Sequence, residues 1–107
     1  MNKKTFVKRL LDLVVQIQQI PAPTFAEVQR AQFVKGLFEA EGLDDVSIDA
    51  IGNVYACLPG DGKGKPLIVS AHMDTVFPIE TDLTVSSKKD RIIGPGIGDN
   101  SLGVASL

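Results

Sequence analysis

Hydrophobic positions divide the chain into helical and extended stretches. Phe6, Leu10, Leu13, Val14 and Ile17 fall on one stripe at helical spacing, with lysines, Arg9, Asp12 and Gln16 on the other side. This predicts an amphipathic helix that Pro21 and Pro23 end, because proline lacks an N–H and restricts the residue before it. Thr24 then opens a second helix. Glu27 lies three residues on, so Thr24 to Glu27 reads as a capping box, and Val28, Ala31, Val34, Leu37 and Phe38 form the apolar face. Gly42 ends this helix as a left-handed residue, and Leu43 can fold back onto Phe38.

Extended segments follow. Val46–Ile48 and Val54–Leu58 read as short strands separated by a turn at Gly52-Asn53. Pro59 to Pro66 is a solvated connection. Leu67–Ala71 is apolar without alternation, which predicts a strand covered on both faces in the middle of an α/β sheet. Leu83–Val85 and Arg91–Ile93 read as a further small pair. After Asp99, Ser101 to Leu107 has the pattern of a buried helix beginning, with no capping glycine, basic last turn or proline to stop it. The expectation is therefore an N-terminal piece of a longer protein.

Composition narrows the function classes. The chain has 107 residues, 44% hydrophobic and 22% charged, which is the balance of a folded domain and not of a disordered tail. Eleven Lys and Arg against thirteen Asp and Glu give a net charge of −2, with no basic excess to neutralise a phosphate backbone. Trp is absent and there is one Tyr, so nucleic acid is not an expected partner. The single cysteine, Cys57, cannot form an internal disulfide. The basic start and the apolar stretch Leu10–Ile20 only superficially resemble a signal peptide, since Asp12, Gln16, Gln18 and Gln19 interrupt it. No apolar run approaches the roughly 20 residues of a membrane span. A cytoplasmic protein with no membrane partner is expected.

Candidate chemistry gathers in two places. The apolar strand runs into Ser70-Ala71-His72-Met73-Asp74-Thr75-Val76, and ligands of open α/β sheets collect at the carboxyl ends of strands. His72 and Asp74 are two apart and share a face on an extended backbone. An imidazole with a carboxylate beside it is the pairing of metal sites: one nitrogen binds metal and the carboxylate fixes the tautomer through the other. The competing reading is a structural histidine at a strand end, but a carboxylate placed there needs a partner. The second place is Gly94-Pro95-Gly96-Ile97-Gly98-Asp99-Asn100, where glycines permit close approach and deliver Asp99 to a helix start. It could equally be a turn with Asp99 as helix cap. Asp99 stands where a dinucleotide fingerprint needs glycine, and the Asp61–Lys65 loop lacks the end of a P-loop. A serine hydrolase at Ser101 is a weaker alternative, since Asp99 occupies the first glycine position of the nucleophile elbow and His72 precedes the serine. Ser70, His72 and Asp74 line one strand and do not converge as a triad must.

Together, Ile20-Pro21-Ala22-Pro23-Thr24 with Glu27, Gly52-Asn53-Val54, Ser70 to Val76 and Gly94 to Asn100 resemble the M20 family of zinc peptidases and deacylases, in order and spacing over nearly the whole chain. The resemblance implies a zinc-exopeptidase-like α/β fold, a mixed sheet flanked by helices, of which residues 1–107 would be the incomplete N-terminal part. It implies two zinc ions, with Co2+ or Mn2+ as substitutes. His72 would ligate one zinc, Asp99 would bridge both, and Asp74 would join the catalytic set by supporting His72. The Asp99-Asn100 peptide would be cis. Asn100 departs from the Lys or Met common after the bridging Asp, and Asn-Ser followed by Gly-Val-Ala leans towards the peptidase-T-like side over the acetylornithine-deacetylase-like side.

The implied reaction is metal-dependent hydrolysis of an amide bond in a small peptide or N-acyl amino acid, in a parent that could be a homodimer. The family's paired glutamates, its remaining ligands and its lid or dimerisation domain have no counterpart in these 107 residues, so the chain alone is expected to be inactive. The alternative outside enzymology is a non-catalytic α/β interaction module.

Overall fold

The computed structural model describes all 107 residues. Helix α1 spans Lys3–Gln18 and starts at Asn2, whose side chain accepts a hydrogen bond from the Thr5 amide at 2.9 Å. Only the C-terminal half of its apolar stripe is covered. Val14, Ile17 and Gln18 are buried, whereas Phe6 is exposed.

Helix α2 spans Val28–Ala40 and begins four residues after Thr24, without the expected capping box. Phe25 adopts a left-handed backbone with φ of 69°, which no α-helix accommodates, and Pro23 O accepts from the Ala26 N–H in a tight turn. Glu27 accepts from the Phe25 amide at 2.8 Å, and the Thr24 hydroxyl is engaged elsewhere. Val28, expected on the apolar face, is exposed. The C-terminus forms as the sequence predicts. Gly42 has φ of 74°, and the Gly42 and Leu43 amides return to Glu39 O and Phe38 O in a Schellman arrangement.

Strands β1 (Asp44–Ile48) and β2 (Val54–Cys57) pair antiparallel, with an irregularity between Asp44 and Ser47. Asp49 closes the connecting turn by accepting from the Ile51 and Asn53 amides, the Asn53 side chain and the Tyr55 hydroxyl. A second antiparallel pair joins β3 (Ser86–Ser87) to β4 (Ile92–Ile93). The first strand of this pair was expected at Leu83–Val85. Leu83 O is instead taken by the side-chain amides of Gln18 and Gln19, at 3.1 and 2.8 Å. Residues 97–101 make a wide π-type turn that leads into the short helix α3 (Leu102–Ser106).

The sheet departs most from expectation. Helices and strands mix as an α/β chain should, but the strands form two separate antiparallel pairs and no mixed sheet. Leu67–Ala71 joins neither pair, and Leu67 and Ile68 are 88% and 87% exposed. Its composition specifies two apolar faces, yet Val69 is also exposed and only Ala71 at its end packs against the core. The core is small: Ile17, Val34 and Val104 are buried together, with Leu37, Phe38 and Met73 among the partly buried side chains around them. An apolar cleft of about 590 Å³ opens between α1, α2 and α3, with Leu10, Leu13 and Leu37 in its lining. No helix is long and apolar enough to cross a membrane.

Candidate metal centre

The segment that carries His72 and Asp74 is irregular, and the N-terminal part of the chain holds it in place. The Thr75 amide donates to Ala22 O at 2.8 Å, and Pro23 and Thr75 form an isolated parallel bridge. Arg30, only 1% exposed, locks the same region from within. Its Nε and Nη2 donate to Ile20 O at 3.1 and 2.6 Å, and its Nη1 donates to Met73 O at 2.7 Å. Burial lowers the Arg30 pKa, and the nearby Asp74 carboxylate partly restores it.

Asp99 reaches the site through the glycine-rich turn. Gly96 has φ of 75°, a conformation open to glycine at little cost, and its carbonyl accepts from the Ser101 amide at 3.1 Å. The Asp99-Asn100 peptide is cis. The Asn100 side chain donates to His72 O at 3.3 Å and lies against Gly103, where any Cβ would collide with it.

These elements bring the three predicted residues together. His72 Nδ1 lies 3.1 Å from Asp74 O and 3.2 Å from Asp74 Oδ1, and His72 Nε2 lies 2.9 Å from Asp99 Oδ1. Burial works against charge on the imidazole, but the Asp74 carbonyl and the two carboxylates outweigh it and raise the His72 pKa above 6.5. A protonated ring donates to both carboxylates at once. The Asp74 pKa is lowered, chiefly by the hydroxyl of Thr24, which donates to Oδ2 at 2.6 Å, with further help from His72. Asp99 and His72 are well exposed, so the pair faces solvent.

Neither imidazole nitrogen faces a serine, and the buried Ser101 hydroxyl has no hydrogen-bond partner. The arrangement is therefore not a nucleophile–base pair. No cluster of three or more His, Cys, Asp or Glu side chains suited to a metal occurs. The donor chemistry of His72 and Asp99 suits zinc, but a zinc site takes four ligands, or three and a water. The chain by itself offers one imidazole and one carboxylate.

The model of peptidase family M28 matches residues 53–107, which include all three of these side chains. The chain belongs to peptidase family M28. It is also 30% identical to the cytosol non-specific dipeptidase of Escherichia coli (strain K12), over 91% of this chain and 23% of that protein. The chain thus spans under a quarter of the length of the curated relative it matches. The M28 match places the chain among peptidases of the metal-dependent kind without reaching the finer M20 assignment.

Two structural residues of this M28 chain escaped the sequence reading. Arg30 and Gln18 both sit on apolar helix faces: Arg30 precedes Ala31 and lies one turn before Val34, and Gln18 lies one turn after Val14. A polar residue in phase with the buried stripe was the available signal. Gln18 is fully buried and donates to Leu83 O and Pro95 O, which fastens the glycine-rich turn to α1.

Proposed function

We propose that this chain is the N-terminal, ligand-bearing part of a zinc-dependent peptidase or deacylase of M20 type that hydrolyses an amide bond in a small peptide or an N-acyl amino acid. The observation that carries the reading is the convergence of His72 Nε2 and Asp99 Oδ1 to 2.9 Å, with Asp74 behind the imidazole. His72 and Asp99 would be ligands, Asp99 shared between two zinc ions, with Co2+ or Mn2+ as substitutes. When bound, zinc supplies Lewis acidity to the substrate carbonyl and lowers the pKa of a water.

The chain's own residues supply orientation. With metal bound, the Asp74 carbonyl and carboxylate would accept the Nδ1 proton and leave the Nε2 lone pair for the metal. Arg30 and the Ala22–Thr75 hydrogen bond hold the His72–Asp74 segment, and Asn100 ties it to the Asp99 turn. A general base and the remaining ligands would come from polypeptide outside these residues, so the chain alone would turn over no substrate. The relationship to a cytosolic dipeptidase supports a cytoplasmic peptidase with a small-peptide substrate.

Equilibrium dialysis against zinc tests this reading. Wild-type chain is expected to bind zinc weakly, and His72→Ala and Asp99→Ala each to lose that binding. Equal zinc uptake by wild type and both variants would refute it.

A further inference from the structure

We propose that Phe25 is a substrate-contacting residue at the edge of this centre, where it selects an apolar side chain in the small peptide to be hydrolysed. That Phe25 is held out for a ligand rests on its backbone and exposure; the identity of the ligand rests on the peptidase reading above.

Phe25 and Asp45 are the two residues other than glycine with a positive φ, at 69° and 52°. Aspartate tolerates that region, whereas an aromatic side chain enters it at a steric cost. The turn from Pro23 to Ala26 explains why the backbone goes there. Pro23 O accepts from the Ala26 amide at 2.8 Å, and a turn closed in this way with a positive φ at its third residue calls for glycine or asparagine. It does not call for a phenyl ring. Burial does not offset the cost, because Phe25 is 95% exposed. Other large apolar residues are exposed too, but Phe25 alone combines exposure with an unfavourable backbone. A strained residue that the fold does not use points to a functional position.

The neighbours of Phe25 say what it serves. The preceding residue, Thr24, donates to Asp74 Oδ2 at 2.6 Å, and Asp74 Oδ1 lies 3.2 Å from His72 Nδ1. Phe25 therefore stands one residue from the centre. Pro23 bridges in parallel to Thr75, and Val76, next to Thr75, is a second apolar residue left exposed at this edge. The His72 and Asp99 side chains are themselves open to solvent. Polar groups that can hold an amide, with apolar side chains beside them, are what a small-peptide site requires. Phe25 is also held in place. Its amide donates to the Glu27 side chain at 2.8 Å, Thr24 is tied to Asp74 and Pro23 to Thr75, so little backbone freedom is left to lose when a ligand binds.

The test joins a stability measurement to a selectivity measurement. Thermal unfolding compares wild type with Phe25→Gly and Phe25→Asn, two residues that accept a positive φ, in the 107-residue chain and in the full-length peptidase. Neither variant is expected to melt below wild type, because relief of the left-handed backbone outweighs the freedom that glycine adds to the unfolded chain. Selectivity is read on the full-length peptidase with zinc, as the ratio of kcat/KM for leucyl-leucine to that for glycyl-glycine. Phe25→Gly and Phe25→Asn are each expected to lower this ratio about tenfold, the low end of what an apolar contact gives in discrimination. Phe25→Leu, which restores an apolar side chain, is expected to recover most of it.

An unchanged ratio in Phe25→Gly and Phe25→Asn would overturn the proposal, as would failure of Phe25→Leu to recover it. Lower melting of both variants in the 107-residue chain would assign the ring to the fold and overturn it too. Lower melting in the full-length protein alone would assign the ring to packing against polypeptide outside these residues, with the same consequence. A wild type that hydrolyses neither peptide would refute the small-peptide reading and, with it, the ligand named here. Hydrolysis with an unchanged ratio would refute the role of Phe25 and leave that reading standing, so the two failures are distinct.

Discussion

Replacing Arg30 with methionine is the most informative perturbation of the fold beneath the site. Methionine retains much of the buried stem and removes every donor. The two carbonyls that lose partners, Ile20 O and Met73 O, accept three hydrogen bonds from the guanidinium at 2.6–3.1 Å. Leaving a fully buried acceptor unsatisfied costs about 1–3 kcal/mol, so two set an upper range of about 2–6 kcal/mol, and these half-buried carbonyls fall in its upper-middle part at most. Against this stands relief from burying a cation whose nearest opposite charge, Asp74, makes no hydrogen bond with it, a gain of a few kcal/mol when an apolar side chain of similar volume takes its place. The net expectation is a loss of about 2–3 kcal/mol, a large share of the roughly 5–15 kcal/mol that separates a folded domain from its unfolded chain. Urea unfolding followed by circular dichroism measures the loss. Amide exchange localises it, because the Thr75 N–H, bonded to Ala22 O, should lose protection more than amides in the middle of α1. Arg30→Lys should fare little better, since an ammonium cannot span both carbonyls as the planar fork does. A loss below about 0.5 kcal/mol with unchanged Thr75 protection would show that Arg30 does not hold the two segments together.

Further outcomes are expected at three other positions. Asp74→Asn should preserve the fold and weaken zinc binding by about 10–100-fold, read by chelator competition; wild-type affinity in that variant would remove Asp74 from the site. The Asp49 pKa is lowered below 3.8 by its hydrogen bonds, first that from the Asn53 side chain. Its contribution to the β1–β2 turn is therefore present above about pH 3.8 and lost as pH falls through the lower folded value. The Ile51 and Asn53 amide resonances should move together with a midpoint below 3.8, and a midpoint at or above it would contradict the turn described here. Gly103→Ala would force its methyl into the Asn100 side chain, so a loss of about 1–3 kcal/mol is expected by thermal unfolding, together with a displaced Asn100 side-chain amide signal; an unperturbed variant would show that the contact is slack.

The separate parts of the site were legible in the sequence, and the contacts that join them were not. Alternation along an extended backbone put His72 and Asp74 on one face, and the run of glycines marked Asp99 as a residue delivered by an unusual backbone. The helix ending at Gly42 followed from local rules, because all of its hydrogen bonds lie within six residues. Thr24 shows where such rules stop. Thr-x-x-Glu is as good a helix start as the chain contains, yet a carboxylate 50 positions away claims the hydroxyl and Phe25 turns left-handed. Leu83 is similar, its carbonyl taken by two glutamine amides and not by a strand. Leu67–Ala71 illustrates a different limit. An apolar pattern states what surroundings a segment requires, and cannot state that they are present.

The spacing of the site along the chain bears on how it assembles. The His72–Asp99 contact closes a loop of 27 residues, and the Thr24–Asp74 contact one of 50. Loop closure costs about 0.6 kcal/mol more for each doubling of length, so the longer closure is only slightly dearer and neither order of formation is strongly favoured on entropy alone. The unfolded chain holds neither contact. A ligand that needs both segments in place would draw on the folding equilibrium and stabilise the closed chain by about 2.7 kcal/mol when present at a hundred times its dissociation constant. With a core as small as Ile17, Val34 and Val104, such a ligand would act on the chain as a folding agent, and its apparent affinity would weaken wherever the chain is less stable.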